Sequence, residues 1–264
     1  MREPMRHTTD VAPLVARAAD LLCHAVYAVA LSGAGISTPS GIPDFRSPGS
    51  GLWKRADPFV VGSLLGFRQR PEAFYKWIRP LARQIVEAQP NPAHSALARL
   101  EAAGRLRSVI TQNVDGLHQR AGSRRVHEVH GHLREATCVL CGRTVLSEGL
   151  VAAFVQRNEV PRCECGGVVK PNVVLFGELL PAETWAAAEQ DVSACDVLLV
   201  AGSSLEVTPV SSLPRRAADR GARIIIVNYD PTPMDKLADV VIHQDVAEVL
   251  PRVVDRVLIP LSAA

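Results

Sequence analysis

Apolar positions recur along this chain in two rhythms. Val11, Leu14, Val15, Ala18, Leu21 and Leu22 fall at helical spacing and predict an amphipathic helix over 11–25. A continuous apolar run, Ala25 to Leu31, then stops at Ser32-Gly33-Ala34-Gly35, as a buried strand does on entering a tight turn. Residues 36–56 hold three prolines and three glycines and predict a long loop, of a length that marks function or mobility inside a folded domain. Helical spacing returns over 71–88, with a break or kink expected at Pro80, and over 92–103. Arg107 to Ile110 reads as a short strand running into Thr111-Gln112-Asn113, with a helix after Asp115.

The pattern changes between about 132 and 170, where paired cysteines lie, and resumes at Asp196. Val197 to Ala201 predicts a buried strand, 209–220 a helix, Arg223 to Val227 and Val240 to His243 two strands, and Ala247 to Val257 a closing helix. Apolar strands alternating with helices predict an α/β fold, a doubly wound parallel sheet covered on both faces. There is no internal repeat.

At 264 residues and 47% hydrophobic composition the chain can bury a substantial core. A formal net charge of +2 gives no case for nucleic acid or an anionic membrane. The polar start lacks a signal-peptide run, and no apolar stretch approaches a membrane span, so the expected location is cytoplasmic.

Four of the six cysteines are clustered: Cys138 and Cys141 as C-x2-C, then Cys163 and Cys165 as C-x-C, followed by Gly166-Gly167. Two such pairs can close a tetrahedral four-thiolate site for one structural Zn2+. Two unrelated buried pairs are the plainer reading. A DNA-binding zinc module is a third, against which stand the low basic excess and the lack of interleaved aromatics. Cys23 and Cys195 lie in apolar stretches and read as small core residues.

Gly33-Ala34-Gly35 follows a strand and would let backbone approach a phosphate, although Thr38 stands where G-x-G-x-x-G has its third glycine. Three further strand ends carry polar clusters: Gln112-Asn113-Val114-Asp115, Gly202-Ser203-Ser204 and Asn228-Tyr229-Asp230. Ligands of open α/β sheets bind at such ends, so the four define one polar crevice. His130 follows nearby and suits general-base chemistry at neutral pH, with His118, His127 and His132 as competitors that spacing does not exclude.

These residues together resemble the sirtuin family of NAD-dependent protein deacylases, in a prokaryotic-type form. Gly33 to Ser37 with Gly41-Ile42-Pro43-Asp44-Phe45-Arg46 is similar to its cofactor loop, and Thr111 to Gly116 to its second motif. His130-Gly131 is similar to the catalytic histidine, Lys170 to Glu178 to the peptide-binding segment, and Gly202 to Leu205 with Asn228 to the distal cofactor positions.

The resemblance implies a Rossmann-like domain over 1–131 and 181–264, with a helical cofactor-loop insertion at about 36–95, and a small zinc-binding domain over 132–180. It implies that NAD and an acyl-lysine peptide enter the cleft between the two domains. The acyl oxygen would attack C1′ of the nicotinamide ribose, nicotinamide would leave, and His130 would act as base so that the 2′-oxygen takes up the acyl carbon. Water would then release free lysine and O-acyl-ADP-ribose. Asn113 would position a ribose or a water, Asp115 the nicotinamide amide, and Ser37, Asp44 and Arg46 the cofactor loop. Phe45 would cover the reactive face. Gln112, Ser203, Ser204, Asp230 and Val246 complete the implied cofactor contacts. Val173, Val174, Phe176 and Gly177, facing Glu206 and Val207, are the implied peptide contacts. On the residues alone, Val173 to Phe176 reads either as an edge for β-augmentation or as a core strand.

Family members that prefer succinyl or malonyl lysine carry a Tyr-x-x-Arg pair. Here Ile78 stands three residues after Tyr75 and Arg79 one further, so Arg79 is rotated by about 100° away from that pairing. That predicts a preference for acetyl or longer uncharged acyl groups. Rival readings are an ADP-ribosyltransferase or NAD glycohydrolase on the same site, a hydride-transferring dehydrogenase, and a non-catalytic zinc-ribbon module.

Overall fold

A computed structural model describes residues 10–44, 57–157 and 159–259. In chain order its regular elements are α1 (Ala12–His24), β1 (Ala28–Ser32), α2 (Pro58–Val61), α3 (Leu64–Gln69), α4 (Pro71–Glu87), α5 (Pro92–Ala102), β2 (Ser108–Thr111), α6 (Leu117–Arg120), β3 (Val126–Glu128), β4 (Gly131–Cys138), β5 (Thr144–Leu146), α7 (Glu148–Arg157), β6 (Val169–Val173), α8 (Ala182–Ala194), β7 (Val197–Ala201), α9 (Leu213–Ala218), β8 (Arg223–Val227), β9 (Val240–Ile242) and α10 (Val246–Leu258).

All five residues of β1 and of β7 are buried, which is why both read as unbroken apolar runs. They pair in parallel at the centre of a six-stranded sheet of order β3-β2-β1-β7-β8-β9. Alternate side chains feed two cores. Ala28, Ala30, Leu199 and Ile225 pack under α1, α5 and α10, whereas Val29, Leu31, Leu198 and Ile224 pack under α8 and α9. This is the Rossmann-like order, whose switch point lies between β1 and β7, and the site is built there.

A second sheet, β5-β4-β6, is antiparallel and spans the cysteine region. Phe67, Phe74, Tyr75, Phe154 and Leu175 join α3 and α4 to α7 beside it.

Strand β3 is an edge, paired with β2 alone, and leads directly to His130. It is held from the side by the buried carboxylate of Asp191 in α8. Asp191 accepts bonds from Tyr27 at 2.8 Å, Ser108 at 2.6 Å and Arg125 at 2.7 Å, and contacts His127 Nε2 at 2.9 Å.

Three expectations need correction. Helix α4 runs unbroken through Pro80, because Phe74 and Tyr75 anchor its first half and Leu81 and Ile85 its second, which offsets the cost of an interior proline. The helix expected over 209–220 is a 3-10 turn, Val210–Ser212, followed by the short α9. The first strand begins at Ala28 rather than Ala25, since Val26 is exposed.

Candidate active site

At the switch point the turns after β1 and β7 cross in contact. Gly35 N–H donates to Gly202 O at 2.9 Å. A Cβ on Gly33 or Gly35 would stand 2.9 Å from that oxygen, and one on Gly202 would stand 2.2 Å from Ile36 N at φ +61°. The glycines therefore answer first to this backbone crossing, which any Cβ would force apart. Beyond it opens a cavity of about 2020 Å³.

Into this cavity the structure brings every described residue expected at the cofactor crevice. Gly33, Ala34, Gly35, Ser37 and Asp44 line it from β1 and its loop, and Gln112, Asn113, Asp115 and His130 from β2 and beyond. Gly202, Ser203 and Ser204 line it after β7, as do Asn228, Asp230 and Val246. Phe45 and Arg46 lie outside the described residues. Of the four histidines weighed from sequence, only His130 lines the wall; His127 is bound to Asp191, and His118 is buried behind the cavity.

Asn113 is 9% exposed, and its amide is fully directed. Its Nδ2 donates to Gly33 O at 3.1 Å and to Ser37 Oγ at 3.0 Å, so Oδ1 is the atom it offers. Ser37 Oγ in turn donates to Asp115 Oδ2 at 2.7 Å. Burial raises the Asp115 pKa, against the Leu117 N–H and the Ser37 hydroxyl, which stabilise its charge. His130 Nδ1 lies 3.2 Å from the backbone oxygen of Gln112, so Nδ1 carries the proton and Nε2 is an unprotonated acceptor with no partner among the described residues. Burial lowers the His130 pKa, and the Gln112 carbonyl opposes it only in part.

The segment expected to bind peptide lies alongside. Gly131 pairs with Val173, and Val174 N–H donates to His130 O at 2.8 Å. Phe176 N–H donates to Gly62 O at 2.9 Å, and Lys170 pairs with Glu178 at 2.9 Å across the loop. Val173 and Val174 are half-buried and Phe176 is 39% exposed, so this is not a core strand. Val173, Val174, Phe176 and Gly177 line the cavity together with Glu206 and Val207.

Deeper in the cavity, Ile78, Leu81, Ala82 and Ile85 of α4 face Leu150, Val151 and Phe154 of α7. The Tyr75 hydroxyl is spent on Val169 O, and Arg79, which does not line the cavity, donates to Val155 O from Nη2 at 2.8 Å and from Nε at 3.2 Å. Among the described residues the wall carries one arginine or lysine, Arg134, and both oxygens of Glu128 hold it.

The four clustered cysteines do converge. Their sulfurs all lie within 4.8 Å of one another, with Cys138 to Cys165 at 3.5 Å and Cys141 to Cys163 at 3.7 Å. Ligands about 2.3 Å from a tetrahedral centre stand about 3.8 Å apart, so the set fits Zn2+ despite the short C-x-C spacing. Gly167 is required, since a Cβ there would stand 2.6 Å from Cys138 Sγ. With no open position, the metal would supply a structural crosslink.

Sequence reasoning weighed His118 only as a rival base and missed the layer it forms behind Asn113. The His94 and His118 rings meet edge to face with centroids 4.9 Å apart, and Ser32 and Thr111 bond each other at 2.8 Å. The one signal for His94 is its place in the capping box that opens α5 from Asn91.

A Sir2 family profile matches residues 33–209. The NAD-dependent protein deacetylase of Sulfurisphaera tokodaii is 45% identical over 89% of this chain and 93% of its own length. The NAD-dependent protein deacylase 2 of Archaeoglobus fulgidus is 46% identical over 92% of this chain and 96% of its own. The chain belongs to the Sir2 family.

A Sir2 structure solved to explain mechanism and regulation superposes with TM-score 0.88 at 45% identity, covering 93% of this chain and 98% of that one. Another Sir2 structure holds deacetylated p53 peptide and 3′-O-acetyl-ADP-ribose, at TM-score 0.86 and 39% identity, covering 91% of this chain and 97% of that one. Within the Sir2-family match fall the glycine crossing, Asn113, His130 and all four cysteines; Asn228, Asp230 and Val246 lie beyond it.

Proposed function

We propose that this chain is an NAD-dependent protein lysine deacylase that passes the acyl group of a modified lysine to ADP-ribose, releasing nicotinamide and free lysine. The observation that carries the reading is His130, a neutral imidazole fixed through Nδ1 with Nε2 free at the wall of a cavity that is also lined by an asparagine directed to offer only Oδ1. The deacylase names of Sir2-family relatives support it.

The glycine crossing, Gln112, Ser203, Ser204, Asn228, Asp230 and Val246 would hold NAD along the strand ends. Bound there, NAD supplies an electrophilic ribose carbon and the hydroxyls that take up the acyl group. His130 Nε2 accepts the proton of a hydroxyl placed before it, and Asn113 Oδ1 orients that hydroxyl or a water. Asp115, tied to Ser37, accepts from the nicotinamide amide. Val173, Val174, Phe176 and Gly177 on one side, and Glu206 and Val207 on the other, clasp the peptide mainly through backbone, which favours broad sequence tolerance. The apolar stretch between α4 and α7 takes the acyl group and keeps water from the reacting centre. With Arg134 held by Glu128 and Arg79 turned away, it favours uncharged acyl groups over succinyl or malonyl.

The test is mass spectrometry of the protein with NAD and an acetyl-lysine peptide, beside His130→Ala. O-acetyl-ADP-ribose, nicotinamide and free lysine appearing together, and lost in the variant, are expected. NAD consumed to ADP-ribose with the peptide untouched would overturn the reading in favour of a glycohydrolase.

A further inference from the structure

His118 is 1% exposed in the short helix α6, and only one of its ring nitrogens is satisfied. Nε2 lies 2.8 Å from Ser32 Oγ, while Nδ1 is buried with no hydrogen-bond partner among the described residues. A buried N–H without an acceptor is rarer and costlier than a buried lone pair without a donor, so the proton belongs on Nε2, which donates to Ser32. Ser32 then has one outlet for its own hydroxyl proton, Thr111 Oγ1 at 2.8 Å. Thr111 Oγ1 also accepts the backbone N–H of Asn113 at 3.1 Å. Ser32 and Thr111 are register partners at the ends of β1 and β2, so the chain of bonds runs from one strand end to the next behind Asn113.

A leucine or phenylalanine would fill the His118 position without an orphaned nitrogen, and burying a polar ring that is half satisfied costs stability. The imidazole has a use that packing does not explain. We propose that His118 is a positioning residue for the deacylation: through Ser32 and Thr111, its Nε2–H fixes the backbone turn from which Asn113 presents its amide oxygen. The inference rests on the deacylase reading above. Complete burial, and after it the neighbouring His94 ring, hold His118 neutral, so the donor direction persists across the working pH range.

The test compares His118→Phe, His118→Gln and Ser32→Ala, with kcat and KM for NAD and acetyl-lysine peptide and Tm measured on each. The amide nitrogen of glutamine reaches as far as Nε2. His118→Phe is expected to keep Tm and KM near wild type while kcat falls about 10- to 100-fold, the scale of an angstrom-sized misplacement. His118→Gln restores most of that loss, and Ser32→Ala reproduces it. Joining Ser32→Ala to His118→Phe adds little, as for two cuts in one chain. Wild-type kcat in His118→Phe, an equal loss in His118→Gln, or a kcat that merely follows Tm overturns the inference and leaves the deacylase reading intact. A wild-type protein that releases no free lysine overturns both.

Discussion

His130 Nδ1 and the carbonyl oxygen of Gln112 stand 3.2 Å apart, and this one contact decides which nitrogen the cleft meets. On the proposed reading, the base is the neutral ring. Because burial lowers its pKa, the active form persists to more acid conditions than a free imidazole would allow. The pH profile of kcat/KM should therefore be level at pH 7 and fall only below the ordinary value of 6.5. A profile still rising through pH 7 would contradict this assignment.

Ser37 links two cleft groups, accepting from Asn113 and donating to Asp115. Ser37→Ala removes both bonds. A hydrogen bond to a charged group is worth about 1.5–3 kcal/mol, so NAD should bind about 10- to 100-fold more weakly, as read by calorimetry. The defect should deepen as pH falls, since Asp115, already raised by burial, loses one of the two donors that oppose protonation.

Ile78 occupies the wall position at which Arg79 fails to appear. Ile78→Arg would place an unpaired cation there. The ratio of kcat/KM for succinyl- over acetyl-lysine peptide should rise by about 10-fold or more. No change in that ratio would remove this stretch from the acyl site.

The four sulfurs of Cys138, Cys141, Cys163 and Cys165 close on one point, so metal removal should act locally. After chelation, hydrogen exchange should quicken in β4, β5 and β6, while β1, β7 and β8 keep their protection. Readdition of Zn2+ should reverse the change.

Asp191 ties α8 to the residues flanking and forming β3. Although burial alone would raise its pKa, the bonds from Ser108, His127 and Tyr27 and the charge of Arg125 outweigh that and hold it below the ordinary 3.8. Its contribution to stability is thus complete above 3.8 and lost as pH falls through the folded value. Asp191→Ala strands several buried donors and should cost on the order of 3 kcal/mol at neutral pH, measured by urea unfolding.

The strands at the sheet centre were legible because a parallel strand buried on both faces can only be an apolar run. Val197 to Ala201 and Arg223 to Val227 match their sequence spans residue for residue. Helix α8 escaped notice because its buried side is Ala188, Asp191 and Val192, with a carboxylate where an apolar stripe would be sought. The glycine turn, Asn113, His130 and the cysteines stood out because each is a chemically marked residue at a strand end or in a spaced pair. Ser32 and Thr111 did not, and His118 stood out only as a rival base. A serine and a threonine closing two strands look like ordinary terminators, and only the β1–β2 register sets them side by side.

The crossing of the turns after β1 and β7 bears on how this protein can vary. Neither backbone leaves room for a methyl group on the other, so no compensating exchange of side chains can relieve a substitution at Gly35 or Gly202. Once one is replaced, the crossing is already forced apart, and replacing the second adds little further harm. Selection sees the pair as one character: the cavity wall can drift towards new acyl groups while this point, which holds no reacting group, stays fixed.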